Sequence, residues 1–308
     1  MGGGGPREGW PEGRPDLVVV GDVMVDVAVE AAQLARGGDV HGTVLVRPAG
    51  SGANAAVWAA SAGARVRLYG RVGDDLAGRL LTQALAGRGV DARLAVDPGA
   101  RTGAMLVVRE RDERSMVADR GANARLAPAD LPKALDATAV LASGYLLFDP
   151  GSEGAARAAL ERARARWVAV DAASWPLLQA YGRDRFFEAT EAANVLFANE
   201  LEVRALAREP GAAGVRRQAV RLAARFELVC VKLGARGALA VREGYVAESP
   251  APEVEEADPT GAGDAFDGVF LAALVQGLDL EEALWAACEA GARAAASTDT
   301  WPPEEAGP

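Results

Sequence analysis

Histidine and cysteine are scarce in this 308-residue sequence, which limits the chemistry open to it. The one histidine is His41, and the two cysteines are Cys230 and Cys288. A Cys/His zinc site needs about four such ligands, so it is excluded, and Ser-His-Asp or Cys-His catalysis would depend on His41 alone. We expect His41 at a surface or turn. The cysteines are far apart in apolar stretches, so we expect two buried thiols and no disulfide.

Basic residues and long apolar runs are lacking as well. Lys and Arg number 33 against 43 Asp and Glu, which gives a formal net charge of −10. Phosphate contacts need a basic face, so nucleic acid is not expected as the main partner. No apolar run reaches the roughly 18 residues that span a bilayer, and residues 1–15 lack the apolar centre of a secretory signal. We therefore expect a cytoplasmic protein with no membrane partner and a disordered tail at residues 1–15.

Apolar strand-like runs alternate with helical patterns along most of the chain. Residues 17–20 form a continuous apolar run, as in a strand buried on both faces. The alternation predicts an α/β fold with a doubly wound, mostly parallel sheet. Residues 27–48 and 100–119 hold extra strands and few helices, which predicts a small β lid. The ordered domain is predicted to cover residues 16–297, and residues 298–308 are predicted to form a C-terminal tail.

The segment of residues 258–268, DPTGAGDAFDG, carries the strongest chemical signal. Its small residues let backbone N–H groups approach an anion, and the following helix adds positive partial charge. We predict that Gly261, Ala262 and Gly263, here called the glycine turn, form an anion hole for a transferring phosphoryl group. Asp264 would accept the proton of the substrate hydroxyl. The alternative is an ordinary helix cap, and the segment is neither a Walker A loop nor a GxGxxG fingerprint.

Two motifs resemble the signatures of one family. The segment DPTGAGDAFDGVF resembles the C-terminal signature of the ribokinase-like (PfkB) family of sugar and nucleoside kinases. Residues 50–57, GSGANAAV, followed by Gly63, Gly70 and residues 72–75, resemble its N-terminal signature, GGxxAN…G…GxVGxD. The motifs stand in the expected order, about 200 residues apart. The resemblance covers residues 16–297 and implies a kinase domain that uses ATP and Mg²⁺.

The resemblance also implies roles for residues outside the glycine turn. The substrate-binding residues would be Asp26, Gly50, Ser51 and Asn54. The nucleotide would lie against Asn199, Lys232, Gly234 and Gly237, and Glu202 would position Mg²⁺ through water. Lys232 stands where the family more often has Thr or Ser, so it could instead reach a phosphate. Without the resemblance, Asn54 and Asn199 would be interpreted as ordinary helix starts.

The resemblance implies transfer of the γ-phosphoryl group of ATP to a hydroxyl of a small sugar. Ribose, a ketohexose and 2-keto-3-deoxygluconate stay open as acceptors, because Ser51 replaces the loop Lys of ribokinase. Arg120 would pair with a sugar-acid carboxylate or stay solvated. A nucleoside kinase of the same family and a non-catalytic sugar-binding sensor remain alternatives. A homodimer through the lid is also implied, which would cover exposed strand edges.

Overall fold

The computed structural model describes residues 13–32, 35, 37–110, 113–207 and 214–303. In chain order, its strands are β1 (Leu17–Val20), β2 (Met24–Ala31), β3 (Thr43–Ala49), β4 (Val66–Gly73), β5 (Val90–Asp97), β6 (Gly103–Glu110), β7 (Glu113–Asp119), β8 (Leu135–Asp136), β9 (Ala139–Ser143), β10 (Ala163–Arg164), β11 (Trp167–Asp171), β12 (Val195–Asn199), β13 (Leu228–Lys232), β14 (Ala238–Arg242) and β15 (Tyr245–Ser249). The helices are α1 (Ser51–Ser61), α2 (Leu76–Gly87), α3 (Glu153–Glu161), α4 (Trp175–Tyr181), α5 (Arg183–Ala189), α6 (Glu200–Ala207), α7 (Val215–Leu222), α8 (Ala262–Val275) and α9 (Leu280–Ala295).

Nine strands form the main sheet, in the order β5-β4-β1-β9-β11-β12-β13-β14-β15. The strands from β5 to β13 pair in parallel, and β14 and β15 continue the sheet antiparallel. The chain starts in the interior at β1, then adds β4 and β5 on one side and β9 onward on the other. The strand order therefore reverses beside β1, which is where doubly wound sheets bind ligands.

Helices cover both faces of the main sheet, as the continuous apolar strands predict. Leu17 and Val19 of β1 belong to one core cluster, with residues of α1, α2, α8 and α9. Val18 and Val20 belong to a second cluster on the opposite face, with residues of α3 to α7. Successive side chains of a strand point to opposite faces, so β1 must be apolar at every position. The doubly wound, mostly parallel α/β prediction is confirmed.

The predicted lid is a four-stranded sheet in the order β3-β2-β6-β7. Its strand β2 begins at Met24, before the predicted residue 27, and β6 begins at Gly103. Val27 is in register with Val46 and Leu106, and Leu106 with Val117, so these four residues form one row on one face. Asp26 and its cross-strand partner Arg47 lie on the opposite face. The tip of the hairpin, residues 111–112, lies outside the described residues.

Several local expectations differ from the structure. The sequence pattern does not predict strand β5. The pattern of residues 153–166 is typical of one helix, but the helix ends at Glu161, because residues 163–164 pair with β8. Trp301 is 5% exposed and packs in the core, although a tail is expected over residues 298–308.

His41 is exposed, and both cysteines are buried and unpaired as expected. Residues 1–12 of the expected N-terminal tail lie outside the described residues. Among the described helices, none is long and apolar enough to cross a membrane.

Candidate active site

Polar residues that follow the parallel strands meet at one edge of the main sheet. Asp22 follows β1, and Tyr145 follows β9 on a short 3-10 turn. The last residues of β11, β12 and β13 are Asp171, Asn199 and Lys232. Asp264, near the start of α8, interacts electrostatically with Asp22, Asp171 and Lys232. These side chains therefore surround the carboxyl ends of the strands next to the point where the strand order reverses.

The glycine turn caps the N-terminus of α8. Gly261 is the N-cap residue, with φ of 82° and ψ of −3°, a left-handed conformation that favours glycine. The first turn of any helix leaves backbone N–H groups without intrahelical acceptors, and the helix dipole favours negative charge there. In this turn, the backbone N–H of Ala262 donates to the carbonyl oxygen of Pro259 at 3.2 Å. A Cβ added at Gly263 would lie 3.3 Å from Lys232 Nζ, so the space behind the turn is tight. The geometry has the features of an anion site, with Asp264 in the first helical turn.

Asp264 is held by a chain of hydrogen bonds that begins near the C-terminus. Trp301 Nε1 donates to Asn54 Oδ1 at 3.1 Å, and Asn54 Nδ2 donates to Asp264 Oδ2 at 2.8 Å. Because an indole nitrogen only donates, Trp301 orients the amide so that its NH₂ group faces the carboxylate. Burial raises the pKa of Asp264 to about 7, although the Asn54 hydrogen bond acts in the opposite direction. A carboxylate with this pKa suits general base catalysis near neutral pH.

A buried group of charges lies behind the glycine turn. Lys232 Nζ lies 3.1 Å from Asp171 Oδ1 and 3.0 Å from both carboxylate oxygens of Asp267. Burial alone would lower the pKa of Lys232, but the Asp171 and Asp267 carboxylates raise it above its ordinary value. The ammonium therefore stays charged. The nucleotide contact that the family resemblance implies for Lys232 stays a prediction.

Asn199 and Glu202 form a reciprocal cap at the start of α6. The backbone N and Nδ2 of Asn199 donate to the two Glu202 carboxylate oxygens, each at 2.7 Å. Asn199 Oδ1 accepts from the backbone N–H groups of Leu201 and Glu202. Burial and, after it, the Asp171 charge raise the pKa of Glu202 to about 7. The cap explains why this motif has Asn and Glu three residues apart.

The donor set around the strand ends fits Mg²⁺ carried by a nucleotide. Its side chains present carboxylate and amide oxygens, which Mg²⁺ prefers. Within the described residues, no group of three or more His, Cys, Asp or Glu side chains is arranged to hold a metal ion by itself. Phosphate oxygens would therefore complete the coordination, as is usual for Mg²⁺. Glu202 has each oxygen bonded once, which leaves lone pairs for a bound water.

Asp26 lies in a second charged network, at the base of the lid. Arg47 Nε and Nη2 donate to Asp26 Oδ2 at 2.9 and 2.7 Å, and Nη2 also donates to Asp258 Oδ2 at 2.8 Å. Arg47 thus joins the lid to the segment that leads into the glycine turn. Asp26 is 1% exposed, and its Oδ1 has no hydrogen-bond partner within the described residues. A buried acceptor without a donor costs about 1–3 kcal/mol, and a sugar hydroxyl is a suitable donor.

Arg120 is not a solvated surface residue, so that interpretation is wrong. Its Nε and Nη2 donate to the two carboxylate oxygens of Asp22, at 3.1 and 2.8 Å. Its Nη1 donates to Ser152 Oγ at 3.1 Å and lies 3.2 Å from Asp149 Oδ2. The side chain is 18% exposed. Most of its N–H donors are therefore directed at protein groups.

The predicted loop residues Gly50 and Ser51 lie between β3 and α1. Gly50 has φ of 106°, and a Cβ there would lie 2.4 Å from the carbonyl oxygen of Asp22. Glycine is therefore required for the close approach of this loop to the end of β1. Ser51 Oγ shares a 2.7 Å hydrogen bond with Ser143 Oγ at the end of β9. Both residues lie at the strand ends where the other site residues meet.

The predicted nucleotide residues Gly234 and Gly237 lie in the turn after β13. Gly237 has φ of 92°, and a Cβ there would lie 2.0 Å from the carbonyl oxygen of Ser249, so packing alone requires glycine. Gly234 has φ of 62° and open space around its Cα. Of the two, Gly234 is therefore the one whose missing side chain leaves room for a ligand.

Sequence reasoning misses Tyr145 and Trp301. Burial, followed by the charges of Asp264 and Asp171, raises the pKa of Tyr145 above its ordinary value, so its hydroxyl stays protonated among these carboxylates. The apolar pattern of residues 139–147 is typical of one strand, but the strand ends at Ser143. The Gly144-Tyr145 pair is the available signal of a turn. Trp301 has no comparable signal, because its role depends on a partner 247 residues earlier in the chain.

Comparison with known proteins shows the family to which the chain belongs. The family model described as pfkB family carbohydrate kinase matches residues 14–306. The chain belongs to this family. It is a carbohydrate kinase with the ribokinase-like fold, as the two sequence motifs predict.

Relatives of this pfkB kinase differ in the sugar they are named for. It is 34% identical to a 2-dehydro-3-deoxygluconokinase of Thermoproteus tenax, over 79% of this chain and 78% of the relative. It is 31% identical to a fructokinase of Klebsiella pneumoniae, over 83% of each. It is 27% identical to a ribokinase of Arabidopsis thaliana, over 91% of this chain and 76% of the relative.

Solved structures support the same fold. An adenosine kinase from Sinorhizobium meliloti superposes with a TM-score of 0.84 at 25% identity, covering 94% of this chain and 96% of that one. A structure from E. coli, described as a ribokinase II in complex with ATP and Mg²⁺, gives a TM-score of 0.81 at 25% identity, covering 93% and 94%.

Proposed function

We propose that this carbohydrate kinase transfers the γ-phosphoryl group of ATP to a hydroxyl of a small sugar, with Asp264 as the general base. The observation that carries this assignment is the placement of Asp264. It stands in the first turn of α8, directly after the glycine turn, and Asn54 orients its carboxylate. A base and an anion site are thus adjacent, as phosphoryl transfer requires.

In the proposed reaction, Asp264 takes the proton of the acceptor hydroxyl. The hydroxyl oxygen forms a bond to the γ-phosphorus as the bond between that phosphorus and the β,γ-bridging oxygen breaks, and ADP leaves. The N–H groups of the glycine turn stabilise the negative charge on the transferring group. Asp264 then passes its proton to solvent, and the cycle closes.

The nucleotide is proposed to lie beside the turn after β13, where Gly234 leaves open space. Asn199 would contact its phosphates. Mg²⁺ would be held by phosphate oxygens and, through water, by Glu202, where it neutralises phosphate charge. The relative solved with ATP and Mg²⁺ supports both cofactors.

The acceptor is proposed to lie between the lid and the main sheet. Asp26 would accept its hydroxyl hydrogen bonds through the unpartnered Oδ1. Gly50, Ser51 and Asn54 would line the same side. Of the three sugar classes, the 34% identity to a 2-dehydro-3-deoxygluconokinase gives the most support to a 2-keto-3-deoxy sugar acid. Ribose, ketohexoses and nucleosides are the alternatives, since relatives named for each of these share the fold.

The test is ADP release with Mg·ATP against ribose, fructose, 2-keto-3-deoxygluconate, adenosine and cytidine. One acceptor with kcat/KM at least tenfold above the others is expected, and Asp264→Asn should lower its turnover by several orders of magnitude. Near-normal turnover of Asp264→Asn would remove this residue as the base. Sugar binding without ADP release from any acceptor would instead favour the sensor alternative.

The lid is also proposed to form a homodimer interface. Its outer face carries the apolar row Val46, Val27, Leu106 and Val117, in which Val46 is 64% and Val117 65% exposed. A second copy would cover this row and the edges of the lid sheet.

A further inference from the structure

The Lys232 ammonium is held by two carboxylates of the protein in this structure. An ammonium has three N–H donors, and three carboxylate oxygens lie within 3.1 Å of Nζ, one from Asp171 and two from Asp267. Its side chain is 16% exposed, against 2% for Asp267. The charge is therefore anchored to the protein from two elements, the end of β11 and the inner side of α8.

The ammonium nevertheless lies directly behind the glycine turn. A Cβ built on Gly263 would lie 3.3 Å from Nζ, and Gly263 precedes Asp264 in the chain. The other titratable groups that interact with Asp264 are acids, namely Asp22, Tyr145, Asp171 and Asp267. Arg120 pairs with Asp22, and Lys232 is the positive charge that pairs with Asp171 and Asp267 beside the base and the anion site.

The choice of lysine at this position is unusual for the chain. Of its 33 Lys and Arg residues, two are lysines, Lys133 and Lys232. A guanidinium is planar and larger than an ammonium, which is a compact point charge. The narrow space between Gly263, Asp171 and Asp267 fits the smaller group.

We infer that Lys232 is a positioning residue for phosphoryl transfer, a fixed cation held behind the glycine turn by Asp171 and Asp267, and not a ligand of the nucleotide. The inference rests on the proposed roles of Asp264 and the glycine turn. From behind the turn, the charge favours the ionised form of Asp264 and attracts the negative charge of the transferring group. Asp267 sets the strength of this effect, since its carboxylate partly neutralises the cation.

The test compares four proteins: the wild type, Lys232→Met, Asp267→Asn and the control Lys133→Met, whose parent side chain is exposed. For each, kcat/KM is measured from pH 5 to 9 with the accepted sugar, and ATP affinity is measured by calorimetry. In Lys232→Met, the acid limb of the profile should move about one pH unit upward. In Asp267→Asn it should move downward, because a negative charge near the base is lost. ATP affinity should change less than about threefold in both, and Lys133→Met should match the wild type.

Opposite shifts from the two variants are the signature of a charge effect, which a purely structural pair would not produce. A tenfold loss of ATP affinity in Lys232→Met with an unmoved acid limb would overturn the inference and make Lys232 a nucleotide ligand. Activity lost in both variants with unmoved limbs would make the pair structural only. If Lys232→Met does not fold, Asp267→Asn decides, and an unmoved limb there overturns the inference. Failure of the proposed function is seen separately, as an active Asp264→Asn enzyme.

Discussion

Asp264 combines a raised pKa with a position directly beside the proposed anion site. Burial holds the pKa of its carboxyl at about 7, and a general base is active only when it is ionised. We therefore expect kcat/KM to fall at least tenfold per pH unit below about pH 7, where Glu202 titrates as well, and to level off above it. The measurement is a pH–rate profile in the wild type. A profile that stays flat down to pH 5 would contradict the assignment.

The variant Asp264→Asn also lets us test whether a loss of activity comes from misfolding. In the folded state, the raised pKa of Asp264 means that its protonated carboxyl is favoured over the carboxylate. Its contribution to the free energy of unfolding is therefore lost as pH rises through about 7. At pH 8 the variant should thus unfold at a temperature no lower than that of the wild type. Thermal unfolding followed by circular dichroism checks this, and a clear loss of stability would mean that low activity reflects misfolding.

Trp301 acts on the base through Asn54. Trp301→Phe removes the indole donor that orients the Asn54 amide, so the amide can turn its oxygen toward Asp264. We expect kcat to fall about fivefold, which corresponds to about 1 kcal/mol for one lost hydrogen bond, with little change in the KM for sugar. Trp285→Phe is the matched control, because that side chain is exposed on α9. Equal kcat values in the two variants would remove Trp301 from the site.

At the level of secondary-structure elements, strands β2 and β3 place a charged pair between the lid and the glycine turn. Asp26→Asn keeps the shape of the side chain but leaves Arg47 with a weaker acceptor and the sugar with a neutral one. The KM for sugar should rise at least tenfold, while the KM for ATP stays within about twofold. Glu30→Gln, at an exposed position of the same strand, is the control. A parallel rise of both KM values would point to general damage to the lid.

Some elements of the fold can be predicted from the sequence and others cannot. The core strands and the helices α8 and α9 are predictable, because their apolar patterns and the glycines at their ends are close together in the sequence. The DPTGAGD motif likewise identifies Asp264 and the glycine turn, since these residues are adjacent in the chain. By contrast, the partners of Lys232, Arg47 and Trp301 lie far away in the chain, and only the folded sheet brings them together. Tyr145 escapes prediction because the expected strand continues through the turn that carries it.

On the scale of the whole molecule, the lid has two chemically different faces. The face toward the site carries Asp26 and Arg47, whereas the outer face carries the apolar row that includes Val46 and Val117. An exposed apolar row on a sheet with open edges favours pairing with another sheet. The proposed homodimer would use this face without covering the charged one.

Val46→Glu tests this arrangement, since two copies of the charge would meet at a symmetric interface. We expect the wild type to have the mass of a dimer in light scattering and the variant that of a monomer. Val96→Glu is the control, because Val96 is comparably exposed but lies on strand β5 of the main sheet and not in the lid sheet. Since the base of the lid is continuous with the sugar site through Asp26, loss of the dimer should also raise the KM for sugar more than that for ATP. A wild type that is monomeric at assay concentrations would refute the lid interface and leave the chemistry of Asp264 untouched.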